Sequence, residues 1–147
     1  MIIDSHCHLE YEPMCSTLNE IISRANKDGV KFLLTISTTD ISLKKILKIT
    51  SEFECVYGTY GIHPHEAKNH QNIKSEEIIK KINSSKKIIG IGETGLDFYY
   101  NHSEKKDQMK CFEEHIYAAQ ASNLPLIVHT RAAENETLDL LKKMKKE

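Results

Sequence analysis

The chain predicts an α/β fold built on a parallel sheet, and three observations carry that expectation. Short apolar runs alternate with amphipathic stretches along its whole length. The runs are continuously apolar, which suits strands buried on both faces of a parallel sheet. Finally, the polar residues able to do chemistry gather just past the carboxyl ends of those runs. That rim is where parallel α/β proteins build their sites.

In chain order, Ile2-Ile3-Asp4 opens the first strand. Leu18, Ile21, Ile22 and Ala25 then recur at helical spacing until Gly29 stops the helix. Phe32 to Ile36 is the second strand, followed by a helix with Asp40 as N-cap and Leu43, Ile46 and Leu47 on its apolar face. Cys55 to Tyr60 is the third strand. The polar stretch from Glu66 to Lys74 connects it to a helix capped by Ser75 and carrying Ile78, Ile79 and Ile82. Ile88 to Gly92 is the fourth strand, and Met109, Phe112, Ile116 and Ala119 mark a longer helix after it. Pro125 to Val128 is the fifth strand, with Leu138, Leu141 and Met144 on a last helix. A strand–helix unit repeated in this way favours right-handed crossovers in one domain spanning 1–147.

Composition narrows the function classes. With 39% hydrophobic and 28% charged residues in 147, the chain can bury a core and reads as a soluble globular domain. A net charge of -1 excludes a general basic footprint, so a polyanion would need a local site of metal and a few cations. Met1-Ile2-Ile3-Asp4 lacks the basic and apolar regions of a secretory signal, and no apolar run approaches the roughly 18 residues of a membrane span. A cytoplasmic location without membrane association is expected. Cys7, Cys15, Cys55 and Cys111 form no Cys-x-x-Cys pair and read as free thiols. By strand alternation Cys7 points away from the histidines flanking it. Lys142, Lys143, Lys145 and Lys146 read as the solvated end of the last helix, near the negative pole of its dipole.

His6 and His8 continue the first strand, where residues two apart share a side, so both imidazoles can meet one metal ion. His63 and His65 follow the third strand, Glu93 the fourth, and His129 and Arg131 the fifth. Taken singly, each has an ordinary reading. Glu93 can cap a helix, His129 can be a core histidine, and Arg131 can be a surface ion-pair partner. Their shared placement at one end of the sheet singles them out. His70, His102 and His115 lack that placement and are assigned no role. Imidazole and carboxylate donors suit divalent zinc, magnesium or manganese. Glu93 can bridge two such ions about 3.5–4 Å apart, where an acidified water attacks phosphorus or a carbonyl carbon. His63, His65 and Arg131 are then left to grip phosphate oxygens, Arg131 as a bidentate fork.

Four segments, IIDSHCHL from Ile2, GIHPH from Gly61, GIGETGLD from Gly90 and PLIVHTR from Pro125, resemble the TatD family of metal-dependent deoxyribonucleases. These belong to the amidohydrolase-like TIM-barrel hydrolases, and the segments follow the family's order from end to end. The resemblance implies a parallel (β/α) barrel of TIM type. It also implies that His6 and His8 bind one metal, that catalytic Glu93 bridges two, and that His129 binds the second. His63 then lies near the substrate phosphate, and the reaction is phosphodiester hydrolysis, often 3′ to 5′ on single-stranded DNA. Glu10 stands where the family usually has Asp or Asn.

A complete barrel takes about 250 residues, so about five of eight βα units are expected here, an incomplete or truncated barrel. The family draws a further His from its sixth strand and an Asp from its eighth, beyond Glu147. The first and fifth strands are therefore expected to present open edges, with a second chain or second copy completing the barrel. The alternatives are a metal-binding remnant, a split-enzyme subunit that needs a partner chain, or a hydrolase of another ester such as aminoacyl-tRNA.

Overall fold

The computed structural model describes residues 1–145, which leaves Lys146 of the lysine run outside the described residues. All five expected strands are present: β1 (Ile2–Cys7), β2 (Val30–Thr35), β3 (Val56–Tyr60), β4 (Ile88–Asp97) and β5 (Leu126–Arg131). They pair in parallel in the order β1-β2-β3-β4-β5, so each strand lies beside its sequence neighbours. The sheet curls into part of a barrel, and β1 and β5 are its open edges.

The helices α1 (Leu18–Lys27), α2 (Asp40–Glu52), α3 (Ser75–Ile82), α4 (Lys105–Ser122) and α5 (Glu134–Met144) cover one face. Between sheet and helices lie three apolar clusters. The largest centres on Ile46, Tyr60, Ile62, Ile78 and Ile91, the second on Leu9, Ile22, Leu33, Ile49 and Val56, and the third on Leu96, Phe112, Ile116 and Leu140. Each fully buried isoleucine here contributes about 1.5–3 kcal/mol relative to an exposed one. Cys7 joins the partly buried rim of the second cluster, on the helix side as alternation requires, and its thiol faces the Leu34 carbonyl. Burial pushes its pKa up to about 12, which makes it an unreactive thiol.

Two helix caps differ from expectation. Asp40 is not the N-cap of α2. Thr39 is, in a reciprocal capping box with Ser42, which frees the Asp40 carboxylate to bond Tyr60 Oη and Lys81 Nζ, each at 2.6 Å. Ser75 is likewise the first residue of α3 rather than its cap, and its N–H donates to Glu114 Oε2 at 2.9 Å. In α5 Leu141 and Met144 pack against the third cluster as expected, while Leu138 is 50% exposed and Leu140 is the buried residue. Lys142, Lys143 and Lys145 are exposed, as a solvated end requires.

The largest difference is in β4, which runs five residues beyond its expected end at Gly92 to reach Asp97. Its glycines resemble a turn in sequence, yet here they let backbones touch. A Cβ on Gly95 (φ 138°) would lie 2.1 Å from the His129 carbonyl oxygen, and one on Gly92 (φ 129°) would lie 2.4 Å from that of Ile127. This close approach sets Glu93 and Asp97 beside His129 of β5.

The open sheet leaves apolar side chains in solvent. Ile2 and Ile3 of β1 are 54% and 56% exposed, Phe32 of β2 41%, and Val128 of β5 36%. Among the described residues no helix is long and apolar enough to cross a membrane.

Candidate metal centre

Two groups of ligand atoms form at the carboxyl end of the sheet. His6, His8 and Glu93 make one and His63, Glu93 and His129 the other, with the atoms of each group within 4.8 Å of one another. Glu93 belongs to both. One of its oxygens lies 4.0 Å from His6 Nε2 and the other 3.2 Å from His129 Nδ1. Each group offers two nitrogens and a carboxylate oxygen, a donor set that fits a divalent ion.

Every site residue read from the sequence can now be located. His6, His8, Glu93 and His129 come together. His63 joins Glu93 and His129, its ring centroid 4.6 Å from that of His129 and 4.4 Å from that of His65. Its Nδ1 accepts from the His65 N–H, which leaves Nε2 for the centre. Arg131 is set further out. Its guanidinium stacks over Tyr99 and Tyr100 at 4.4 and 4.7 Å, and Tyr100 in turn meets the His65 ring.

Two buried carboxylates orient these ligands, and sequence reasoning gave neither a role. Glu10 is wholly buried. It faces His8 Nδ1 at 3.2 Å through one oxygen and accepts from the Thr35 hydroxyl at 2.8 Å through the other. The Ile36 carbonyl also lies 3.1 Å from that nitrogen, so His8 donates from Nδ1 and leaves Nε2 for the metal. Asp97, 1% exposed, places Oδ2 2.9 Å from His65 Nε2 and 3.0 Å from His129 Nε2. Its Oδ1 accepts the N–H groups of Tyr99 and Tyr100. The side chain of Gln108 from α4 clamps the Asp97 backbone on both sides, accepting from its N–H and donating to its carbonyl. The available signal was parity, because Glu10 follows His8 by two residues and Asp97 follows Glu93 by four.

His115, left without a role, is a fully buried structural histidine. It donates from Nδ1 to the Cys111 carbonyl at 2.7 Å and accepts the Ile62 N–H at Nε2, which holds the chain just before His63.

The electrostatics follow from these contacts. Burial opposes ionisation of Glu93, but the His129 hydrogen bond and the surrounding imidazoles hold its carboxyl below the ordinary range. Burial drives His63 down to about 4, so it is neutral at physiological pH. The Glu10 hydrogen bond raises His8, and the Glu93 hydrogen bond raises His129. A proton and a metal ion compete for these two rings. Metal affinity is therefore expected to fall as pH drops through values above the ordinary imidazole pKa of 6.5. The limiting slope is about tenfold per pH unit for each protonated ligand. Calorimetric titration at several pH values checks this, and a flat profile would contradict it.

An open cleft of about 370 Å³ lies over the centre, with His8, Tyr11, Thr38, His63, His65 and Glu93 among its walls.

The comparisons with known proteins agree with this geometry. The family model "TatD related DNase" matches residues 3–147. An uncharacterized metal-dependent hydrolase of Buchnera aphidicola subsp. Baizongia pistaciae is 36% identical over 146 residues, covering 96% of this chain and 54% of that protein. The 3′-5′ ssDNA/RNA exonuclease TatD of Shigella flexneri is 29% identical over 123 residues, covering 84% of this chain and 47% of the relative. The chain thus spans about half the length of the curated relatives it matches. In fold, the crystal structure of YjjV, a TatD homologue from Escherichia coli K12, superposes with a TM-score of 0.89 at 24% identity, over 97% of this chain and 56% of that one. The match from Ile3 onward, joined to the fold, shows that this chain belongs to the TatD family of metal-dependent hydrolases.

Proposed function

We propose that the chain supplies the metal-binding half of a nuclease that hydrolyses phosphodiester bonds in single-stranded DNA, acting from the 3′ end. The observation that carries this is Glu93, one carboxylate shared between two groups of imidazole ligands. The name of the Shigella relative supports a nucleic-acid substrate.

His6, His8 and Glu93 would hold one divalent ion, and Glu93 and His129 a second. Such ions acidify water and neutralise charge on phosphate. The chain's own residues do the positioning. Glu10 and Asp97 aim His8 and His129, and neutral His63, whose Nδ1 accepts the His65 N–H, carries its proton on Nε2 and can donate it to a phosphate oxygen. His65, fixed by Asp97, lines the cleft beside it. The open edges at β1 and β5 are where the remaining βα units of a complete barrel would pair.

Mixing the chain with the C-terminal segment of the Buchnera relative is expected to give hydrolysis of a 3′-labelled single-stranded oligonucleotide, dependent on manganese or magnesium and abolished by EDTA. Metal titration without hydrolysis would reduce the role to metal binding. Failure of the chain to bind any divalent ion would remove the reading.

A further inference from the structure

We propose that Tyr99, Tyr100 and Arg131 form a base-stacking subsite, which takes the nucleobase of a single-stranded substrate beside the metal centre. This rests on the phosphodiesterase reading above and adds what the substrate must carry besides a phosphate. Tyr99 is 61% exposed and Tyr100 40% exposed, immediately past the end of β4. Exposed tyrosines occur elsewhere on this chain, but only where several rings adjoin do they offer a stacking surface. These two are also fixed in place, because both backbone N–H groups donate to the buried Oδ1 of Asp97. The carboxylate that aims His129 therefore also sets the position of the rings.

The rings meet edge to face, with centroids 4.8 Å apart and planes at 83°. Tyr100 stacks against His102 with an interplanar angle of 30°, and its ring lies 5.5 Å from that of His65, a wall of the cleft. An unbroken aromatic path therefore leads from the ligand cluster to solvent. Arg131 lies over both tyrosines and has no carboxylate partner among the described residues. Aromatic faces joined to a guanidinium, next to a place where phosphate is held, are the recurring elements of single-strand recognition. A nucleobase has the flat π-face this surface accepts, and Arg131 can take the adjoining phosphate. A Watson–Crick paired base is stacked within its duplex and cannot reach the platform, so the subsite selects unpaired ends. The stacking chemistry is common to DNA and RNA.

The test measures anisotropy of a short 5′-labelled oligothymidylate on the intact chain, with EDTA present to prevent hydrolysis. The double variant Tyr99→Ala, Tyr100→Ala is expected to bind on the order of tenfold more weakly, and Tyr99→Phe within about twofold of the original. An oligonucleotide lacking its 3′-terminal base should lose the same factor on the original chain and lose nothing further on the double variant. Labelled oligouridylate run in parallel separates the two sources, and equal loss on both assigns the subsite to the base alone. Unchanged binding by the double variant, indifference to the missing base, or no detectable binding by the original chain would each overturn the proposal. Metal titration of the same proteins in EDTA-free buffer, without oligonucleotide, keeps the two readings apart. If metal binding fails while base-dependent binding persists, the metal centre falls and the subsite stands. If metal binding is intact and base dependence is absent, the reverse holds.

Discussion

Replacing Glu93 with Gln is expected to weaken divalent-metal binding at both ligand groups at once, by about a thousandfold. The substitution keeps the shape of the side chain and removes one negative charge from the point where the groups meet. Across roughly 4 Å at an effective dielectric near 20, two unit charges attract by about 4 kcal/mol, so losing the charge that faces a divalent ion should cost at least about three decades of affinity. A His6→Ala change should be milder and should spare the group built on His63 and His129, because His6 belongs to the other group only. Calorimetric titration of zinc or manganese reads both variants. Ordinary affinity in Glu93→Gln would show that Glu93 is not the shared ligand.

The second large effect is expected at Asp97. Asp97→Ala removes the acceptor of two backbone N–H groups and the partner of two imidazoles from a position 1% exposed. Unsatisfied buried donors cost about 1–3 kcal/mol each, so a net loss of about 3 kcal/mol is expected. For a domain of this size that is about 6–12 °C in Tm. Metal affinity should fall by about 10- to 100-fold, as it does when the partner of a ligating histidine is lost. Asp97→Asn separates the two roles. Its amide oxygen can still accept from Tyr99 and Tyr100, but its NH2 group cannot accept from the rings. Most of the stability should return while the metal affinity stays low.

The acid limb has the same origin. Burial opposes ionisation of Asp97, yet the Tyr100 N–H and the two imidazoles hold its carboxyl down at about 2, below the ordinary 3.8. A depressed carboxylate stabilises the fold above the unfolded pKa and loses that contribution as pH falls through the folded one. Asp97→Asn should therefore flatten acid unfolding between about pH 4 and 2. Thermal denaturation across that range tests it.

Much of this architecture was legible in the sequence, for physical reasons that differ by element. Continuous runs such as Phe32–Ile36 and Ile88–Ile91 read as buried strands because no charged residue interrupts them. His6, His8, Glu93 and His129 stood out because each follows such a run, and backbone geometry alone puts strand ends together. The end of β4 was not legible. Gly92 and Gly95 look like a turn until the carbonyls of Ile127 and His129 are seen where their side chains would be. Cutting the strand at Gly92 hid the shared face of Glu93 and Asp97, and with it the role of Asp97. The surroundings of Arg131 were not legible either. The sequence offered it as a phosphate fork, and the structure adds that the neighbouring tyrosines hold its guanidinium on a stacking surface that charge alone does not disclose.

The strand order β1-β2-β3-β4-β5 has a consequence for synthesis. Each new strand pairs with the one made just before it, so the sheet can grow from its amino-terminal end as the ribosome extends the chain. His6 and His8 emerge first, and their metal partners emerge last, on β4 and β5. Until β4 docks, the His-x-His pair has no carboxylate to share an ion with. Tight metal capture would then report that β4 is in place, and the closing of the second ligand group on His129 would report the docking of β5.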